Sequence, residues 1–67
     1  MKTTINNKPF EFSTPLNIPQ ILELGGIKII AGIAVAVNNR VVPKTEWETF
    51  TVKDNDAVVV IKATQGG

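Results

Sequence analysis

The stretch Asn17-Ile18-Pro19-Gln20-Ile21-Leu22-Glu23-Leu24-Gly25-Gly26 decides the fold, because it holds the one sustained helical period in these 67 residues. Ile18, Ile21, Leu22 and Gly25 fall at i, i+3, i+4 and i+7, so the three apolar side chains share one stripe of a helix. Asn17 is a favoured N-cap and Gln20, three residues on, completes a capping-box pattern. Pro19 fits a first turn, where its missing N–H is no loss. Gly25-Gly26 supplies the stop, since glycine takes a left-handed cap conformation without strain. A helix of roughly two to three turns is predicted. One such helix covers one face of a sheet and leaves the other open.

N-terminal to the helix, Lys2 to Asn6 and Pro9 to Ser13 read as two strands of a hairpin around Asn6-Asn7-Lys8, with Pro9 at the start of its strand. Phe10 and Phe12 share a face and Glu11 points away. C-terminal to it, Ile33-Ala34-Val35-Ala36-Val37 alternates large and small residues and reads as a strand whose large face meets the helix. The apolar link Ile27 to Gly32 fits either a buried turn or an extended run. Asn38-Asn39-Arg40 is read as a turn, and Val41-Val42 as one more bridge before Pro43. Thr45-Glu46-Trp47-Glu48 has the Thr-x-x-Glu spacing of a capping box and predicts a single helical turn, with Trp47 a lid over the core edge. Phe50 to Lys53 reads as a short strand, Asp54-Asn55-Asp56 as a tight turn and Ala57 to Ala63 as the last strand. The whole is a single α+β domain, residues 1–67. It is a mixed sheet of four to five strands packed on one short helix, an order that permits a β-grasp, with 64–67 as an extended, flexible tail. A ferredoxin-like fold would need a second helix, for which there is no room.

Composition narrows function. Without cysteine or histidine, thiol catalysis, Cys-ligated metals and the commonest general base are all excluded. With Ser13 the only serine, a Ser–His–Asp triad is impossible. Seven basic and six acidic residues leave a net charge of +1, with no Lys/Arg run to track phosphates, so no nucleic acid partner is expected. The longest apolar stretch, Ile27 to Val37, is interrupted by Lys28 and far short of the roughly 20 residues of a membrane span. Residues 1–12 lack the apolar run of a signal peptide, so a soluble, cytoplasmic chain is expected.

Two features remain that could carry chemistry. Gly66-Gly67 follow directly on the last strand, and from Thr64 the four residues can reach roughly 13 Å from the domain. Residues without Cβ let a partner's backbone approach closely, and nothing branched hinders attack on the Gly67 carboxyl. These are the properties wanted in a carboxylate destined to become an acyl-adenylate. The second feature is the last strand itself, where Ala57, Val59 and Ile61 share one face and Val58 and Val60 the other. Only one face can meet the helix. The other is either shielded by loops or an apolar docking patch beside the tail. Asp54 and Asp56 fit a turn better than a metal site, and no metal is expected. Glu46 and Glu48 do not face each other, and Gly25-Gly26 ends a helix instead of opening a phosphate loop.

The run Ala34-Val35-Ala36-Val37-Asn38, then Val41-Val42-Pro43-Lys44, Trp47, Asp54-Asn55-Asp56 and Gly66-Gly67, resembles the ThiS family, the sulfur carriers of thiamin biosynthesis. The likeness is strongest from Gly32 to Gly67, and the first half shares the hairpin, the short capped helix and the glycines. Asn55 stands where the family usually has glycine, and the polar Thr64-Gln65 precedes the glycines. The resemblance implies a ubiquitin-like β-grasp and a chain that is a co-substrate, not an enzyme. Gly67 would be adenylated by a ThiF-like enzyme using Mg-ATP, with no cofactor bound to the carrier itself. A cysteine desulfurase relay would convert it to a thiocarboxylate, and a ThiG-like thiazole synthase would receive the sulfur. Gln65 and Gly66 would form the tail in contact with these partners. Val59 and Ile61 would face them, with Val58 and Val60 inward. The small subunit of molybdopterin synthase shares this chemistry but tends to be longer, with a Pro-rich approach to its glycines. A ubiquitin-like modifier forming isopeptide bonds through Gly67 would begin with the same adenylation.

Overall fold

The computed structural model describes residues 1–62. β1 (Lys2–Ile5) and β2 (Lys8–Glu11) form an antiparallel hairpin. Its turn is shorter than expected, because Lys8 already pairs with Ile5 and only Asn6 and Asn7 lie outside the ladder. Both asparagines are left-handed, at φ 52° and 70°. That geometry matches the twist of the strands in a two-residue hairpin, and asparagine tolerates it. Thr4↔Pro9 is the rung after the closing pair. Antiparallel alternation therefore turns the missing N–H of Pro9 to the free edge of the sheet, where no ladder bond is lost.

The helix α1 spans Ile18–Leu24, at the short end of the expected length. Its capping box is complete. The Asn17 side chain accepts from Gln20 N–H at 3.0 Å, and the Gln20 side chain accepts from Asn17 N–H at 2.9 Å. At the far end Gly26 N–H bonds Glu23 C=O and Ile27 N–H bonds Leu22 C=O, the paired bonds that close a helix on a left-handed residue. That residue is Gly26, at φ 71°. Gly25 is needed for a different reason, since a Cβ there would stand 3.0 Å from Ile5 Cδ1.

Past a loop that is neither helix nor strand come β4 (Ile33–Val37) and β5 (Arg40–Val42). Their turn is again two residues, Asn38-Asn39 at φ 52° and 68°, so Arg40 belongs to β5 and not to the turn. The helical turn expected on a Thr45 capping box forms instead as a 3₁₀ turn over Lys44–Glu46, one residue earlier and with no side-chain cap. Pro43 presets the backbone, and its carbonyl takes Glu46 N–H at 2.8 Å, which places Thr45 inside the turn where it cannot cap. β6 shrinks to Thr51–Val52 and pairs with β3 (Leu16–Asn17) in a small separate sheet that ties the start of the helix to the C-terminal half. β7 runs over Asp56–Lys62.

The main sheet has the order β2-β1-β7-β4-β5, parallel between β1 and β7 and antiparallel elsewhere. It is the expected mixed sheet closed around one helix, with the last strand at its centre. Ile18, Ile21 and Leu22 are fully buried, within one core with Ile5, Val35, Val37 and Val58. Burying each such side chain contributes about 1.5–3 kcal/mol. Trp47 closes the edge of the core, 3% exposed, and its indole N–H donates to Val42 C=O at 2.9 Å.

β7 is also held by both hairpin turns. Asn38 donates its N–H to Ala57 C=O at 2.8 Å, and its side-chain oxygen accepts from Ala57 N–H at 2.9 Å. Asn6 donates its N–H to Val58 C=O at 2.9 Å, and its side-chain oxygen accepts from Val60 N–H at 2.8 Å. Each turn residue thus acts as a short extra piece of strand.

Candidate functional site

Alternation along β7 separates two surfaces. Val58 points into the core at 1% exposed and Val60 lies half-buried at its rim, whereas Val59 and Ile61 emerge on the opposite face at 39% and 57%. The register carries that face across the sheet. Val59 stands opposite Ala36, Ala36 opposite Val41, and Ile61 opposite Ala34. Val41, at 65% exposed, completes a row over three strands. Ala36 lies between the bulkier Val59 and Val41, Ala34 lies beside Ile61, and none of the five side chains is charged. An uncharged apolar patch on the open face of a sheet offers a partner burial without desolvating a charge.

The patch sits at the C-terminal end of β7, where the chain leads to the tail. Gln65, Gly66 and Gly67, with Ala63 and Thr64, lie outside the described residues. Val59 and Ile61 are therefore the only expected site residues whose placement is described, and they share one face with Val41, Ala34 and Ala36. The alanines were legible as the small face of an alternating strand. Val41 carries no signal of its own in the sequence, yet a two-residue turn at Asn38-Asn39 places it opposite Ala36 by counting alone.

Among the described residues no other feature assembles chemistry. Asp56 accepts from Asn38 Nδ2 at 2.9 Å and from Lys53 N–H at 2.7 Å, and Asp54 accepts from Lys2 N–H at 2.6 Å. The turn is shorter than expected, since Asp56 already belongs to β7; its bond from Lys53 closes the turn, and Asp54 ties the turn to β1. Among the described residues no group of three or more Asp, Glu, His or Cys could hold a metal ion. A groove of about 600 Å³ between Arg40, Phe50 and Lys53 is shallow and open. In the loop before β4, Ile29 and Ile30 are exposed and Ile27 is half-buried, so the apolar link is a surface loop and not a buried turn. No described helix is long and apolar enough to cross a membrane.

Comparison with known proteins gives concordant matches. The sequence model of the ThiS family matches residues 3–67. The sulfur carrier protein ThiS of Escherichia coli (strain K12) is 35% identical over 37 residues, covering 55% of this chain and 56% of that protein. The chain thus spans about half the length of that curated relative. Among solved structures, the crystal structure of the thiamine biosynthesis protein (ThiS) from Geobacter metallireducens is similar at a TM-score of 0.83 and 29% identity, covering 100% of both chains. A solution NMR structure of a thiamine biosynthesis protein from that organism is similar at 0.74 and 30% identity, covering 100% of this chain and 88% of that one. The fold is the ubiquitin-like β-grasp.

Proposed function

The chain belongs to the ThiS family, and from that premise we propose that it is a sulfur carrier of thiamin biosynthesis whose working atom is the carboxyl carbon of Gly67. The observation that carries the reading is the uncharged apolar face at Val59, Ile61 and Val41, set where β7 leads toward that residue. A surface of this kind lets a partner seize the domain and receive the end of the chain in one orientation.

The proposed cycle needs two partners and a sulfur source. A carboxylate is a poor electrophile until one oxygen becomes a good leaving group. A ThiF-like enzyme with Mg-ATP supplies that step: a Gly67 carboxylate oxygen attacks the α-phosphorus of ATP, pyrophosphate leaves, and an acyl-adenylate forms. A persulfide sulfur delivered by a cysteine desulfurase relay then attacks the carbonyl carbon, AMP departs, and a thiol reductant cleaves the S–S bond of the acyl disulfide. The resulting thiocarboxylate is a sulfur nucleophile on a protein handle, passed to a ThiG-like thiazole synthase. The carrier contributes docking and presentation. General acids, bases and phosphate-binding groups belong to the partners, and the cytoplasm, with its ATP, is the proposed location.

Deleting Gly67 tests this directly. The truncated chain is expected to keep its fold and melting temperature and to lose pyrophosphate release with the adenylating enzyme. Thiazole formation supported by the truncated chain would overturn the reading.

A further inference from the structure

β7 is held differently along its length. From Asp56 to Val58 it pairs with β1 and from Val58 to Lys62 with β4, so beyond Val58 its strand partner is β4 alone. The bonds show which way its amides face: Ala57 N–H turns to the β4 side, toward Asn38, while Val58 C=O and Val60 N–H turn to the β1 side. A continuing parallel ladder would give Val60 N–H to the backbone carbonyl of Asn6. The chain instead enters its left-handed turn at Asn6, φ 52°, and the side-chain oxygen takes that N–H at 2.8 Å. One rung is thereby added on the strand that leads to the tail, at the point where the ladder otherwise ends.

We propose that Asn6 is a positioning residue for the activation of Gly67: its amide keeps the end of β7 in line, so that the chain leaves the sheet toward the partner in one direction. The proposal rests on the carrier reading above. Without the rung the end of β7 is tied on its β4 side only, and restoring the order of up to one residue in the docked complex weakens it roughly five- to thirty-fold.

The second hairpin provides the control. Asn38 clamps the opposite end of β7 and makes two side-chain bonds, to Ala57 N–H and Asp56 Oδ1, against one for Asn6. A merely structural effect would be at least as large in Asn38→Gly. The test compares wild type, Asn6→Gly, Asn6→Asp and Asn38→Gly in pyrophosphate release with a ThiF-like enzyme and Mg-ATP. Docking Kd is measured on the same chains lacking Gly66-Gly67. Glycine keeps the left-handed turn and removes the acceptor, and aspartate keeps both. Asn6→Gly is expected to lower kcat/KM roughly five- to thirty-fold with docking Kd unchanged. Asn6→Asp is expected to restore kcat/KM, and Asn38→Gly to leave it at the wild-type value. Hydrogen exchange at the Val60 amide, slow in wild type and Asn6→Asp, is expected to quicken in Asn6→Gly alone. Equal losses in Asn6→Gly and Asn38→Gly, or a loss accounted for by docking Kd, would overturn the proposal. A wild-type chain that releases no pyrophosphate would instead overturn the carrier reading beneath it.

Discussion

Val58 and Val59 are the same residue type at adjacent positions of one strand, yet the two faces of the sheet give them opposite work. Val58 is sealed against the helix with Val35 and Val37, and Val59 stands 39% exposed in a row with Ala36 and Val41. The inner face concentrates stability and the outer face keeps apolar area unspent. In a chain of this length total stability is about 3–10 kcal/mol, so leaving Val41, Val59 and Ile61 uncovered forgoes a sizeable share of it. The difference teaches that hydrophobicity in a strand locates the core only when parity and the number of covering layers are considered together.

Substitutions on the two faces can break or sharpen that contrast. The largest effect is expected from Val58→Asp, which buries a charge among apolar side chains. It should abolish the cooperative thermal transition, read by circular dichroism. Ile21→Ala, on the helix side of the same core, should cost about 2–5 kcal/mol in denaturant unfolding with the fold retained. Ile61→Asp should change stability by no more than about 0.5 kcal/mol, as for other exposed positions. The same variant should weaken binding to the adenylating partner at least about tenfold, in the range of an interface anchor. Global unfolding by Ile61→Asp would erase the contrast. The smallest effect belongs to Asn39→Gly, in a turn on neither face. Glycine suits its φ of 68° better than asparagine, and a gain of about 0.5 kcal/mol is expected with partner binding unchanged.

Much of this was legible in the chain itself. The capping box at Asn17 and Gln20, the glycine stop, the hairpins and the parity of the last strand are local patterns, and each formed where its residues indicated. The hairpin turns are one residue shorter than their sequences suggest, because Asn-Asn can serve a two-residue or a longer turn and only the ladder decides. The Thr45 box failed because Pro43 starts its turn one residue earlier, a local conflict that spacing alone does not reveal. β3 was invisible, since two residues carry no periodicity and its partner Thr51–Val52 lies far away in sequence. The Asn6 clamp was equally hidden, being a side-chain bond to a residue 54 positions on. Of the candidate site, alternation sorts β7 into two faces, the family resemblance implies which one is outward, and the extension to Val41 requires the register.

The most direct test of the central claim is the intact mass of the full chain after incubation with a ThiF-like enzyme, Mg-ATP and a cysteine desulfurase relay. The account predicts a gain equal to one sulfur replacing one oxygen, assigned by fragmentation to Gly67. An unchanged mass, or a ladder of isopeptide-linked products without sulfur, would contradict it.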